Sequence, residues 1–192
     1  MIIMNKDRVV EIFRETNVLQ DGHFKLTSGK HSNQYLQCAQ VLQYPDYTQE
    51  LCDGLAESFA DLEIDLVIAP AIGGIIISYA VGTALGKKAI FAEREDGDMA
   101  LRRGFTIEDG AKVLVVEDVT TTGGSVREVI EVVEENGGEV VGVGILVDRS
   151  GGEVDFGVKK EALLTLEVEA YEPEECPLCD NEVPITKPGS RT

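Results

Sequence analysis

The chain has 192 residues, of which 43% are hydrophobic and 27% charged, and its formal net charge is −18. This length and composition predict one globular domain with at most a small appendage. The excess of acids disfavours nucleic acid and anionic lipid as partners, and no apolar run approaches the roughly 20 residues of a membrane span. The N-terminus lacks the apolar core of a signal peptide, so we expect a cytoplasmic protein.

The N-terminal part of the chain predicts two helices with a small hairpin between them. Residues 5–16 have apolar side chains at helical spacing. A stretch rich in turn formers, residues 21–29, separates two short strands, and the second strand runs through residues 34–37. Pro45 suits the first turn of the next helix, where its missing N–H costs nothing.

The central part alternates between apolar strands and helices. The predicted strands are residues 65–69, 89–92, 112–116 and 140–147, and the predicted helices are residues 73–85 and 124–136. Nearly continuous Val, Ile and Leu runs are typical of strands covered on both faces, so we expect an α/β fold with a mostly parallel sheet flanked by helices. We assign residues 1–172 to this domain and residues 173–192 to an irregular C-terminal tail.

The segment that follows the strand at residues 112–116 is the most informative for function. Two adjacent acids end the strand, and a run of Thr and Gly leads into the next helix. Backbone N–H groups at a helix N-terminus bind anions, and carboxylates at a strand end can accept bonds from sugar hydroxyls. An ordinary strand-to-helix turn is the alternative. The predicted sugar-phosphate site consists of Glu117, Asp118, Val119, Thr120, Thr121, Thr122, Gly123, Gly124 and Ser125.

This segment resembles the motif by which type I phosphoribosyltransferases bind phosphoribosyl pyrophosphate (PRPP): four apolar residues, two acids, an apolar residue and a Thr/Gly-rich loop. Residues 22–36 resemble the N-terminal Ser-Gly hairpin of orotate phosphoribosyltransferases, and residues 69–74 resemble their pyrophosphate loop. The resemblance implies a type I phosphoribosyltransferase-like fold, with a small hood formed by about residues 1–40 over the base.

The resemblance also implies which residues bind the base. Tyr35 and Leu36 match hood positions that contact orotate, and Thr121 matches a loop position that also touches it. Arg149 matches an arginine that meets the orotate. An arginine is chemically apt, because a guanidinium can hold a carboxylate with two parallel bonds.

Ile72 and Gly73 match the pyrophosphate-binding positions of the family, and Arg94 matches the arginine that opens its mobile catalytic loop. Two departures are visible. Thr27 stands where many members have a lysine, and residues 93–104 contain neither the lysines nor the histidine usual in that loop. We therefore expect a short-loop variant whose positive charge against pyrophosphate comes from two arginines. The predicted catalytic set is Glu117, Asp118, Arg94, Arg102 and Arg103.

The resemblance implies Mg²⁺-dependent transfer of ribose 5-phosphate from PRPP to orotate, in the biosynthesis of the pyrimidine nucleotide UMP. The Mg²⁺ would be held mainly by the substrate, and a homodimer would complete each site with a loop from the other subunit. Two alternatives stay open: a purine phosphoribosyltransferase, and a transcription regulator that senses PRPP. The acidic charge disfavours the regulator, which would need a basic DNA-reading module.

Four cysteines remain to be explained. Cys38 and Cys52 sit among apolar neighbours and are interpreted as small core residues. Cys176 and Cys179 form an isolated C-x-x-C pair, which supplies half of a structural zinc site. The sequence leaves three possibilities for this pair: two free thiols in a terminal turn, a zinc site shared across a dimer, or a redox pair.

Overall fold

The computed structural model describes residues 4–26, 29–166 and 169–187. Its N-terminal part contains a two-stranded antiparallel sheet, called the hood below, with helices on either side of it in sequence. Asn5 caps the first helix, since its side chain accepts a hydrogen bond from the backbone N–H of Asp7 at 3.1 Å. The elements are α1 (Lys6–Glu15), β1 (Leu19–Lys25), β2 (His31–Leu36), α2 (Ala39–Leu42) and α3 (Pro45–Glu57). Thr27 and Ser28 of the predicted Ser-Gly turn lie outside the described residues.

Six strands form the main sheet, and two helices connect its parallel strands. The strands are β3 (Leu66–Pro70), β4 (Lys88–Glu95), β5 (Asp98–Leu101), β6 (Lys112–Thr120), β7 (Glu139–Asp148) and β8 (Lys159–Thr165). Their order is β5-β4-β3-β6-β7-β8, and all neighbours are parallel except the β4–β5 hairpin. The connecting helices are α4 (Gly73–Leu85) and α5 (Gly124–Glu135). The predicted α/β fold is confirmed.

Both faces of the sheet are buried, which explains its continuous apolar strands. On one face α3 and α4 pack against side chains such as Val67 and Leu114, and on the other face α5 packs against Ile68 and Val115. After β3 the chain continues to β4 on one side of the sheet, whereas after β6 it continues to β7 on the other side. The strand order therefore reverses between the neighbours β3 and β6. In open α/β sheets the carboxyl ends of the strands at such a reversal form a crevice for ligands.

The structure differs from the sequence-based expectation at the sheet edges and in the C-terminal tail. The edge strands β5 and β8 were not predicted, and β6 continues to Thr120, four residues past the predicted end. The tail contains a 3₁₀ turn (Pro173–Glu175) and a one-turn helix α6 (Pro177–Asp180). It also lies against the hood, through isolated bridges of Phe24 with Thr186 and of His31 with Tyr171. Among the described residues, none of the helices has the length and apolarity to cross a membrane.

Candidate active site

Asp118 and Gly73 meet at the crevice between β3 and β6. Asp118 lies near the end of β6, and Gly73 opens α4 directly after β3. A Cβ atom placed on Gly73 would lie only 2.7 Å from Oδ2 of Asp118, so the glycine is what lets this carboxylate approach the helix. Ile72, the other residue predicted to meet pyrophosphate, is 85% exposed beside them.

The two adjacent acids are held in a poorly solvated environment. Glu117 is buried, whereas Asp118 is partly exposed and accepts a hydrogen bond from the N–H of Val119 at 2.8 Å. Burial, followed by the negative charge of Asp118, raises the pKa of Glu117 to about 9. Burial also raises the pKa of Asp118. Without a ligand the pair therefore retains a proton at neutral pH, and a positively charged ligand would favour its release.

The Thr/Gly loop joins β6 to α5 at the same edge of the sheet. Gly123 adopts a left-handed φ of +79°, and a Cβ there would lie 2.8 Å from both Phe156 and Val154. Gly123 is the N-cap of α5 and has no side-chain oxygen to offer, so the first N–H groups of the helix face outwards without a side-chain cap. The exposed members of this Thr/Gly loop are Thr121, Thr122, Gly124 and Ser125.

Arg149 follows β7 and is fixed next to β6, because its backbone N–H donates to the carbonyl of Thr120 at 2.9 Å. Within the described residues, Nε of Arg149 is the buried side-chain nitrogen or oxygen that lacks a hydrogen-bond partner. A buried donor without a partner costs free energy, on the order of 1–3 kcal/mol, which an incoming acceptor could recover. The site thus presents one unsatisfied guanidinium donor at the edge that carries the two acids.

The hood lies next to the same crevice. The ring of Tyr35 packs against Phe24 with centroids 5.6 Å apart, and Leu36 is buried in the core. Two residues further on, Cys38 places its Sγ atom 3.6 Å from the backbone oxygen of Asp118. Burial first, and then the charge of Asp118, raises the pKa of the Cys38 thiol, so this residue is an inert neutral contact between hood and sheet.

The three predicted catalytic arginines of the β4–β5 hairpin are paired with acids outside the crevice. Arg94 donates to Glu128 of α5 at 2.5 Å and to the carbonyl of Gly97 at 2.6 Å. Within the hairpin, Arg102 pairs with Glu95 at 3.2 Å and Arg103 pairs with Glu93 at 2.9 Å. All three guanidinium groups are exposed, so these ion pairs hold them weakly. In a single chain they do not contact Glu117 or Asp118.

Sequence reasoning missed one residue that supports the site. Asp148 is fully buried at the end of β7 and accepts bonds from the N–H and hydroxyl of Ser150 and from the ammonium of Lys160, at 2.6–2.9 Å. This network fixes the chain on both sides of Arg149. The signal was available, because an acid at the carboxyl end of an apolar strand is unusual unless its charge is paired.

Comparison with known proteins connects this geometry to a family. The phosphoribosyl transferase domain family matches residues 40–161. An orotate phosphoribosyltransferase from Caldicellulosiruptor bescii is 61% identical over 188 residues, covering 98% of this chain and 99% of the relative.

Solved structures agree on the fold. The crystal structure of orotate phosphoribosyltransferase from Aeropyrum pernix superposes with a TM-score of 0.69 and 28% identity, covering 83% of this chain and 94% of that one. The Mycobacterium tuberculosis orotate phosphoribosyltransferase, solved in complex with PRPP, has a TM-score of 0.66 and 24% identity, covering 84% of this chain and 96% of that chain. At that identity the second likeness speaks for the fold alone.

Proposed function

Because the chain belongs to the orotate phosphoribosyltransferase family, we propose that it transfers ribose 5-phosphate from PRPP to orotate, giving orotidine 5′-monophosphate and pyrophosphate in UMP biosynthesis. The observation that carries the proposal is the crevice between β3 and β6. It combines one buried and one partly buried acid, a helix N-terminus without a side-chain cap, and an arginine donor that has no partner in the described part of the chain. These suit, in turn, a ribose, its 5-phosphate and a carboxylated base. We place the reaction in the cytoplasm, where the free thiols of the chain stay reduced.

The direct test is spectrophotometric. Loss of orotate absorbance is expected on adding PRPP and Mg²⁺, and not when either is left out. Adenine, guanine and hypoxanthine should each be at least about 100-fold poorer acceptors by kcat/KM, because a site built to pair a charged group rejects analogues that lack it. Equal or better turnover with a purine would contradict the choice of base.

The reaction breaks the bond between ribose C1 and pyrophosphate, and a ring nitrogen of orotate forms the new bond. Positive charge grows on the ribose, where Glu117 and Asp118 accept bonds from its hydroxyls and offset that charge. The exposed threonines and the N-terminus of α5 hold the 5-phosphate. Arg149, with the hood residues Tyr35 and Leu36, orients orotate. The ring nitrogen gives up its proton as the new bond forms, and the departing pyrophosphate, a basic polyanion, can accept it.

The residues of the crevice fit a divalent cation delivered with the substrate. Glu117 and Asp118 provide oxygen donors, the ligands that Mg²⁺ prefers, and their retained proton indicates a site that lacks positive charge. When bound, Mg²⁺ would supply charge that neutralises the departing pyrophosphate. We expect it to be held mainly by the substrate, with Glu117 and Asp118 as the protein residues that would help to hold it.

Gly124 offers a clean test of the phosphate cradle. A Cβ at this position would meet only Oγ1 of Thr122, at the ordinary distance of 3.7 Å, so Gly124→Ala should fold with an unchanged or slightly raised Tm. If the backbone approaches a phosphate here, the methyl group should raise KM for PRPP about tenfold or more. Steady-state kinetics and thermal unfolding measure both quantities.

Gly86→Ala is the contrasting control. Gly86 lies at a helix end away from the crevice, and its φ of +65° is strained for any residue with a side chain. This variant should lower Tm and leave KM for PRPP unchanged. An unchanged KM for PRPP in Gly124→Ala would contradict the cradle.

Arg102 and Arg103 are proposed to act on pyrophosphate when the hairpin reaches a neighbouring site. Arg102→Ala and Arg103→Ala are each expected to lower kcat about 10-fold to 100-fold, because each removes positive charge from the leaving group. Stability should change little, since their ion pairs with Glu95 and Glu93 are exposed. Arg14→Ala, an exposed arginine on α1, is the matched control. Unchanged turnover in both hairpin variants would remove these residues from the mechanism.

We propose a homodimer in which each hairpin serves the partner's site. Ile72 at the N-cap of α4, with Ile76 and Tyr79 inside the helix, follows helical spacing along one exposed face next to the crevice, and Tyr79 is 72% exposed. Tyr79→Glu is expected to weaken the dimer at least tenfold by placing a charge in that apolar face, and to lower turnover with it. Light scattering across a dilution series checks the mass. Tyr44→Glu, at the exposed start of α3, should leave mass and turnover unchanged, and a Tyr79→Glu dimer of unchanged strength would contradict this interface.

A further inference from the structure

Four metal-binding side chains from both ends of the chain converge outside the crevice. His23 lies on β1 and His31 on β2, whereas Cys176 and Cys179 flank the first turn of α6. The ligand atoms of these four residues all lie within 4.8 Å of one another. The two histidines and Cys176 are buried, and Cys179 is exposed at the rim. We name this group the His–Cys cluster.

Four of the six distances between the ligand atoms match the edges of a metal tetrahedron, and the other two are within 4.8 Å. Zn²⁺ binds cysteine sulfur at about 2.3 Å and histidine nitrogen at about 2.0–2.1 Å, which sets the edges of a tetrahedron at about 3.3–3.8 Å. In the His–Cys cluster, Nε2 of His23 lies 3.2 Å from Nδ1 of His31 and 3.5 Å from Sγ of Cys176. Sγ of Cys179 lies 3.8 Å and 3.3 Å from the same two nitrogens.

Ordinary hydrogen bonds do not account for this arrangement. Nδ1 of His23 lies 2.8 Å from the carbonyl oxygen of Val183, which can only accept, so Nδ1 carries the proton of the neutral ring. Nε2 is then left with one lone pair, yet three polar atoms face it at once. One lone pair can satisfy one donor. A cation at the centre would instead use the lone pair of every member.

We propose that the His–Cys cluster is a structural Zn²⁺ site. A set of two sulfurs and two nitrogens favours Zn²⁺ over Mg²⁺ or Ca²⁺, which prefer oxygen ligands. Four protein ligands close the coordination shell and leave no position for a substrate, as in structural rather than catalytic zinc sites. The carbonyl of Val183 supplies the outer contact that orients a metal-binding histidine. All four ligands come from one chain, so the site needs no second subunit.

A bulge in β1 orients His23 towards the other members of the His–Cys cluster. The pairing of β1 with β2 shifts between Asp21 and Phe24, and the successive residues His23 and Phe24 are both buried. A regular strand would turn one of them outwards, so this bulge is what directs His23 towards the tail. Thr186 then pairs with both sides of the bulge, accepting from the N–H of Lys25 and donating to the carbonyl of His23, each at 2.8 Å.

The consequence of the zinc site is a fixed hood. A two-stranded sheet alone is marginally stable, and among residues 169–187 of the tail only Cys176 is buried. The metal would join β1, β2 and the tail at one point, so the hood residues Tyr35 and Leu36 would hold their place over the crevice. Binding deprotonates both thiols, since thiolate is the form that binds zinc.

The test measures metal in the whole chain. After purification without chelators and then gel filtration, we expect about one zinc per chain by elemental analysis. Cys176→Ser together with Cys179→Ser should lose at least nine-tenths of it. Cys52→Ala removes a buried thiol of α3 that is not among the four cluster residues, and should keep the full content. Zinc content near zero in the unmodified chain, even after incubation with zinc, would overturn the proposal, as would full content in the double variant.

A second measurement avoids variants that fail to fold. Stripping the unmodified chain with a chelator under reducing conditions should lower its Tm by several degrees, and added Zn²⁺, but not Mg²⁺, should restore it. Co²⁺ in place of Zn²⁺ should give the intense visible bands of a tetrahedral thiolate site. An unchanged Tm on stripping and octahedral Co²⁺ bands would both contradict the assignment.

Discussion

Replacing Glu117 by glutamine, or Asp118 by asparagine, is expected to lower kcat about 100-fold to 1,000-fold. Each change removes a negative charge from the place where positive charge grows on the ribose, and does so with little change in volume. The loss should appear in kcat rather than in KM for orotate, because the carboxylates act on the sugar. Glu134→Gln, on the exposed face of α5, is the matched control. If both site variants keep more than about a third of the turnover, these acids do not stabilise the transition state.

Glu117 also makes the free energy of unfolding depend on pH, in a defined direction. Folding raises the pKa of Glu117 from its ordinary 4.5 to about 9, so the folded chain keeps a proton that the unfolded chain has lost between those values. The free energy of unfolding therefore falls as the pH rises through that window. Glu117→Gln should remove this penalty, and its Tm should exceed that of the unmodified chain at pH 9 but not at pH 4.5. Each kcal/mol corresponds to about 2–4 °C at this chain length. A constant difference in Tm between those two pH values would contradict the raised pKa.

Arg149→Met should raise KM for orotate about 100-fold or more while leaving KM for PRPP nearly unchanged. A hydrogen bond to a charged group contributes about 1.5–3 kcal/mol, and a pair of them to the carboxylate of orotate accounts for this factor. Because Nε of Arg149 is buried without a partner among the described residues, the apolar replacement should not lower Tm. Arg149→Lys keeps the charge but not the planar fork, so it should recover only part of the affinity.

The control for this prediction is Arg14→Met, at an exposed arginine on α1. It should leave both Michaelis constants and Tm unchanged. Equal rises of KM for orotate and for PRPP in Arg149→Met would point to a general distortion of the crevice, and would contradict a contact specific to the base.

Most of the fold could be predicted because its strands are buried on both faces. The apolar runs of β3, β6 and β7 have few other ways to be covered, and the helices between them fix a parallel sheet. The strands β5 and β8 escaped prediction because they are edges. The sequence of β8, Lys159–Thr165, mixes charged with apolar residues, since one side of an edge strand faces water. The Asp96-Gly97 turn was a usable signal for the β4–β5 hairpin.

The candidate sites likewise include residues that are adjacent in the sequence and residues that only the folded chain brings together. Glu117, Asp118 and the Thr/Gly loop are contiguous, so the hypothesis of a sugar-phosphate site needed only the local sequence. The His–Cys cluster was half visible, because a C-x-x-C pair implies two further ligands without saying where they are. His23 and Cys176 are 153 residues apart, and only the folded chain brings them together. The pairing of the hairpin arginines with nearby acids was likewise invisible, since it depends on side-chain reach rather than on pattern.

The contact between the hood and the tail has a consequence for how the protein is made. During synthesis the hairpin β1–β2 emerges well before Tyr171 and Thr186, its backbone partners. Until those residues follow, the nascent hairpin has unpaired backbone groups at its edge. A chain cut between β8 and Tyr171 would keep the residues of all six strands of the main sheet but lose both contacts between hood and tail.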